Sequence, residues 1–203
     1  MRIYDYIRSK GCEILMPVDS NEFFTFNRLK GKPLGKRWKP IRVERVRVNN
    51  RESGRPSDAP YMFKSGVLVF RRSAVDALRD MLDANGELLP LEDTAGVELY
   101  AYNPRHVLEA IDYSQSKGHP GLRGGLAVVN THVFFPNVVE GVDIFRQVYE
   151  PIGKIYLSER FLQRWKKAKL KGLDFELVWD SDLPPDQQPD LRKSKPVKMS
   201  TIR

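Results

Sequence analysis

The sequence is poor in the residues on which most site chemistry depends. Its 203 residues include one cysteine, Cys12. A single thiol excludes an intramolecular disulfide and a multi-thiolate zinc site, and it suits a reducing, cytoplasmic setting. Cys12 lies in the apolar run CEILMPV, where a buried, inert thiol is expected. The three histidines, His106, His119 and His132, are not paired at helical ligand spacing, and no His-Glu-x-x-His occurs. No metal site and no cofactor are therefore expected. No Gly-x-Ser-x-Gly elbow is present either, which argues against an activated serine. The glycine-rich GLRGG (121–125) lacks the Lys-Ser/Thr ending of a phosphate loop, and reads as a flexible loop. Apolar runs such as Gly66 to Phe70 are only about five residues long, against about 20 for a membrane-spanning helix. The opening MRIYDYIRSKG has no apolar signal-peptide core, so no secretion signal is expected.

Charge is abundant and unevenly placed. Lysine plus arginine number 34 against 26 acids, a net of +8. Residues 28–47 carry nine basic side chains and one acid, Glu44, so that segment alone nets +8. Residues 172–190 carry six acids and no base. Such zoning suggests an oppositely charged partner. The neighbouring acids Glu92/Asp93 and Asp180/Asp182 read as solvated faces, since acid–base catalysis needs carboxylates converging in a pocket.

Pattern and turn chemistry predict short elements. CEILMPV reads as a strand, NEFFTFNR (21–28) as packed, and GKPLGKRWKP (31–40) as a loop. IRVERVRV (41–48) reads as a strand whose apolar parity shifts near Glu44–Arg45, which predicts a bulge. NNRESGRPSDAP (49–60) reads as a surface loop. VLVF (67–70) is a strand, followed by a helix capped by Ser73. That helix buries Ala74, Val75, Leu78, Met81 and Leu82, and ends at Asn85-Gly86 through a left-handed residue. ELLPLE and GVELYAYN are extended. Asn103-Pro104 predicts a helix to about Asp112, with Val107, Leu108 and Ile111 inward. Residues 114–125 read as a loop, and LAVVNTHVFF (126–135) and GVDIFRQ (141–147) as strands. KIYL leads into a helix capped by Ser158, with Phe161, Leu162, Trp165 and Ala168 inward and Arg160, Arg164, Lys166, Lys167 and Lys169 outward. LDFELVW (173–179) alternates, placing Leu173, Phe175, Leu177 and Trp179 on one face. The expected fold is α+β: a single domain of short helices packed on antiparallel or mixed sheet. It carries an internal strand–helix–strand echo, since Ser73 to Gly86 and Ser158 to Gly172 share one plan.

Three segments, SGVLVFRRSAVDALRDMLDANGELLPLE (65–92), LYAYNPRHVLEAIDYSQS (99–116) and IYLSERFLQRWKKAKLKGLDFELVW (155–179), carry a more specific likeness. In order and spacing they resemble a bacterial immunity-protein family of polymorphic toxin systems, immunity protein family 11, formerly domain of unknown function 1629. The matching residues are Ser73, Gly86 to Leu91, Tyr100, Asn103, Ile111-Asp112, Leu157 to Phe161, Gly172, Phe175 and Glu176. The likeness runs from about residue 60 to residue 180. Pro104-Arg105 departs from it, because many members carry Val-Thr there. The matched positions are scaffold positions. The resemblance divides the chain into a variable basic segment (1–60) that belongs to the same domain, a family core (61–180) and an irregular, Pro-rich tail (181–203).

The resemblance implies a non-enzymatic protein that binds a cognate toxin and neutralises it by stoichiometric occlusion, without cofactor, in the cytoplasm. The toxin is expected on the basic zone, with Trp38 as anchor and Lys36, Arg37, Arg42, Arg45 and Arg47 around it. That zone holds the charge excess and lies outside the scaffold, and Trp and Arg dominate binding hot spots. The rival surface is acidic: Asp180, Asp182 and Asp186. Two other functions rank behind this one. One is a nucleic-acid-binding module using residues 28–47. The other is an enzyme that reverses the toxin's modification, with residues 118–125 as its ligand cradle. No membrane partner is expected.

Overall fold

The computed structural model describes residues 1–27, 29–47, 54–63, 65–121, 126–148 and 154–193. Among them the chain forms β1 (Arg2–Arg8), β2 (Ile14–Pro17), α1 (Phe23–Asn27), β3 (Arg42–Val46), β4 (Tyr61–Met62) and β5 (Val69–Arg71). It continues through α2 (Arg72–Asn85), β6 (Gly86–Asp93), β7 (Leu99–Pro104), β8 (His106–Leu108), β9 (Lys117–Pro120), β10 (Leu126–Thr131) and α3 (Pro136–Val139). It ends with β11 (Ile144–Gln147), β12 (Ile155–Ser158), α4 (Glu159–Lys167) and β13 (Leu173–Asp180). One five-stranded sheet has the order β13-β1-β12-β11-β8, a six-stranded sheet has the order β4-β2-β3-β6-β7-β5, and β9 pairs with β10. Parallel pairs β2/β4, β3/β6 and β8/β11 sit among antiparallel ones. The fold is α+β in one domain. No helix among the described residues is long and apolar enough to cross a membrane.

The internal echo is a shared plan in space. The strands β5 and β6 flank β7, and both run antiparallel to it, with α2 as the crossover. The strands β12 and β13 flank β1 in the same way, with α4 as the crossover. The two helices meet over one core. Ala74, Val75, Leu78, Met81 and Leu82 of α2 join Phe161, Leu162 and Trp165 of α4, with Phe70, Tyr102 and Phe175 beneath. Phe161, Trp165 and Phe175 are fully buried, and Leu177 is half-buried against the same cluster. A second core under the six-stranded sheet holds Leu15, Phe26, Leu29, Val43, Leu89 and Leu99. A third, on the far face of the five-stranded sheet, holds Ile3, Phe134, Phe145, Tyr156 and Trp179.

Residues 1–60 are woven into both sheets, with β1 in the interior of one and β2 and β3 in the other. Ser158 caps α4 as expected, accepting from Phe161 N at 3.2 Å. Ser73 does not cap α2. The helix starts at Arg72, and the Ser73 hydroxyl donates to Asp58 instead. Gly86 is extended rather than left-handed, and β6 begins at once. A Cβ there would lie 2.6 Å from both the Asn103 carbonyl and the Tyr102 hydroxyl, so close approach, not turn geometry, requires the glycine.

The helix expected after Asn103 is absent. β7 runs through Pro104 and β8 follows, paired in parallel with β11. Asn103 bonds a distant loop instead of capping, which removes the start signal. The loop 114–125 contains β9, paired with β10; residues 122–125 lie outside the described residues. The segment 49–60 is not all surface, since Ser57 and Ala59 are buried, and residues 49–53 lie outside the described residues. β13 does not alternate throughout. Ile3 pairs with Trp179 and Tyr4 with Leu177, so a bulge at Val178 turns Trp179 to the opposite face. The bulge expected in β3 does not occur: Val43 to Val46 pair in unbroken register with β2. The parity of Ile41 and Val43 continues instead through an inward Arg45. Of the C-terminal tail, Gln188 is buried and Leu191 packs on the third core; residues 194–203 lie outside the described residues.

Candidate protein-binding surface

The basic segment 30–40 is a loop tied down by its neighbours' side chains. Gly31 N donates to Asn103 Oδ1 at 3.0 Å, and Asn103 Nδ2 returns a bond to the Lys32 carbonyl at 3.1 Å. The Glu87 carboxylate accepts from Leu34 N at 2.9 Å and Gly35 N at 2.7 Å. The loop then turns through a short 3-10 segment, Gly35–Arg37. Trp38 closes it, donating from Nε1 to the Pro90 carbonyl at 2.8 Å, with its ring half-buried against the second core. Gly31 has φ +76, and a Cβ on it would lie 2.7 Å from Val107 Cγ2 and 2.9 Å from the carbonyls of Pro104 and Arg105. Because buried or partly buried backbone groups need partners, these contacts hold the loop's path. They leave its side chains pointing outward: Lys30, Lys32, Lys36, Arg37 and Lys39 are exposed. None of these five, nor exposed Arg47, forms an ion pair among the described residues. Glu87 lies in β6 and Asn103 in β7, so the interior of the six-stranded sheet holds this loop.

The expected site residues divide sharply. Lys36, Arg37 and Arg47 are exposed, and Arg37 also donates to the Pro33 carbonyl at 3.0 Å. Arg42 is exposed and lies 3.6 Å from exposed Glu92, a pair worth little in water. Trp38 is a staple of the loop as well as part of its surface. Arg45, by contrast, is half-buried in an ion network, its side chain 29% exposed. Its Nε meets Glu13 at 2.8 Å and its Nη1 meets Asp93 at 3.0 Å. Glu13 also accepts from Arg71 at 2.8 Å and from Ser57 N at 2.9 Å. This network is the site that sequence reading missed, and its one sequence signal was Arg45 on the apolar parity of β3. It also corrects Asp93, which is buried rather than solvated.

The rival acidic surface shrinks likewise. Asp180 is buried and bonds Arg2 Nε at 2.8 Å and Asp182 N at 3.1 Å. Burial pushes its carboxyl up, but those two donors outweigh it and hold it below the usual carboxylate range. Gln188 closes the turn, bonding both Asp180 N and Asp180 O. Only Asp182, with 77% of its side chain exposed, and exposed Asp186 remain available.

Other polar clusters are structural. Ser158 donates to Asp143 while capping α4, and Asp143 pairs with Arg160 at 2.9 Å. Two open grooves, of about 500 and 430 Å³, meet at Arg160. His132 is fully buried, stacked on Phe134 and 3.0 Å from the Tyr156 hydroxyl. Burial, with a smaller push from Lys154, lowers its pKa to about 3. The Cys12 thiol is buried, and burial pushes its pKa up. Among the described residues no group of three or more His, Cys, Asp or Glu could hold a metal ion.

No family model matches the chain, and no curated protein sequence matches it.

Proposed function

We propose that this chain is a non-enzymatic binding protein that neutralises a cognate bacterial toxin in the cytoplasm by occluding it one to one. The observation that carries the proposal is the loop 30–40, whose backbone is held by Asn103 and Glu87 and whose Trp38 side chain bonds the Pro90 carbonyl, while five cations face solvent. A pre-held loop loses little freedom on binding. Its charges would steer an acidic face of the toxin into contact, raising the on-rate more than the affinity. Trp38, Lys36, Arg37, Arg42 and Arg47 form this surface; Asp182 and Asp186 are the rival.

The test is co-expression with a candidate toxin domain from a neighbouring reading frame. Protection that reaches completion only near equimolar amounts, with co-elution as one complex, is expected. Protection at substoichiometric amounts would show turnover and overturn the proposal. Within a complex, Lys36→Glu/Arg37→Glu should slow association and flatten its salt dependence. A large loss from Asp182→Asn/Asp186→Asn, with no loss from the basic pair, would move the toxin to the acidic turn.

A further inference from the structure

A second cationic surface is assembled from three chain segments that are far apart in sequence. Ser9 N donates to the Gly172 carbonyl at 3.0 Å, which sets Lys10 beside Lys171. Arg55 N donates to the Gly11 carbonyl at 2.8 Å, and its guanidinium reaches the Lys10 carbonyl at 3.2 Å. Ala59 N bonds the Lys171 carbonyl at 3.0 Å, closing the third side. Lys169 follows α4 in a left-handed conformation (φ 54), with its N–H on the Lys166 carbonyl at 3.0 Å. Lys10, Arg55, Lys166, Lys169 and Lys171 are all exposed.

The acids nearby are occupied. Asp58 accepts from Lys171 N and Ser73, Asp174 accepts from Ser9, and Glu13 sits in the Arg45–Arg71 network. Asp58 and Glu13 form no ion pair with the five cations among the described residues. The patch is four lysines and one arginine. None of the exposed large apolar residues, such as Phe24 and Val128, comes from these segments.

That composition selects the partner. Protein interfaces are enriched in aromatics; the loop 30–40 offers Trp38 beside its cations, whereas the segments of this patch expose no large apolar residue. Exposed lysines without apolar neighbours suit a chain of phosphates, where binding is driven by counterion release. We propose that the surface formed by Lys10, Arg55, Lys166, Lys169 and Lys171 binds the phosphodiester backbone of double-stranded nucleic acid without sequence preference, since a single-strand platform needs stacking aromatics that these segments do not expose. It is separate from the toxin-facing loop, and it does not depend on the toxin reading.

The test is fluorescence anisotropy of a labelled DNA duplex of mixed sequence with the full chain between about 50 and 200 mM salt. Lys10→Glu/Lys169→Glu/Lys171→Glu should weaken binding about tenfold or more. It should also make the log–log salt slope shallower by about 3, at about 0.9 per phosphate contact on a B-form duplex. The neutral triple Lys→Gln variant should act in the same direction, which keeps the test valid if reversed charge unsettles the fold. Lys32→Glu/Lys36→Glu/Arg37→Glu should leave the slope close to that of the parent. The proposal is overturned if the parent chain does not bind. It is also overturned if the Lys10 variants match the parent, if the loop variant loses the slope equally, or if polyglutamate competes as well as the oligonucleotide. A Lys10 triple variant that still protects against the toxin while losing the oligonucleotide would separate this surface from the toxin site.

Discussion

Replacing Glu13 by glutamine tests the reading of the buried ion network most directly. The Glu13 side chain is 1% exposed, and it accepts from Arg45 Nε at 2.8 Å, Arg71 Nη2 at 2.8 Å and Ser57 N at 2.9 Å. Glutamine keeps the shape and one acceptor oxygen, so Ser57 N can stay paired. It removes the charge that faces two guanidiniums, whose side chains are only 29% and 20% exposed. Hydrogen bonds to charged groups contribute about 1.5–3 kcal/mol each, and removing one partner of a buried pair costs about 3–5 kcal/mol in all. Asp93 still holds Arg45, so the lower end, about 3 kcal/mol, is expected. In a chain of this size that lowers the melting temperature by about 6–12 °C. Urea unfolding with an unchanged m-value should give the same free energy. Arg71→Met in the Glu13→Gln background should cost much less than in the parent, because the two share one network. A loss below about 1 kcal/mol would refute the network as a stabilising element, and would mean that water screens it.

Three further outcomes follow from the same packing. Trp165→Ala should destabilise by about 3–5 kcal/mol, as a fully buried aromatic whose removal leaves a cavity; loss of toxin binding at unchanged stability would place Trp165 at the interface instead. The His132 pKa is lowered to about 3 in the folded state, against about 6.5 unfolded. The unfolded chain therefore binds the extra proton between those values, and stability falls as pH drops from about 6.5 toward 3, by on the order of 1 kcal/mol per pH unit. His132→Phe should flatten that part of a denaturation-versus-pH curve; an unchanged slope would show that other groups cause it. Gly31→Ala, with φ +76 and contacts of 2.7–2.9 Å awaiting its Cβ, should weaken toxin binding more than Gly35→Ala, whose Cβ meets nothing within 4 Å. Equal affinities would show that the path of the loop does not matter for binding.

The sequence by itself determined what depends on near neighbours. The α2 stripe Ala74, Val75, Leu78, Met81 and Leu82, the Ser158 cap and the α+β class were all legible, because helical period and capping act within a few residues. The charge excess of residues 28–47 was legible too, as a sum. What it could not show was which of those charges face water. Arg45 turns inward because Glu13, from β2's approach, and Asp93, from the end of β6, meet it there; neither lies within thirty residues of it in sequence. The same holds for Asn103, which looked like a helix cap. Its amide partners, Gly31 and Lys32, lie some seventy residues back, and once they take it no cap remains to start a helix. Trp179 left its expected face because a bulge forms only when β1 pairs with β13. The lysine surface around Lys10 and Lys171 exists only because backbone hydrogen bonds join residues 9 and 172. A hydrogen bond or an ion pair at long range depends on where the sheets bring two segments together, and local pattern carries no trace of that. Tertiary pairing alone therefore separated the exposed cations from the buried ones.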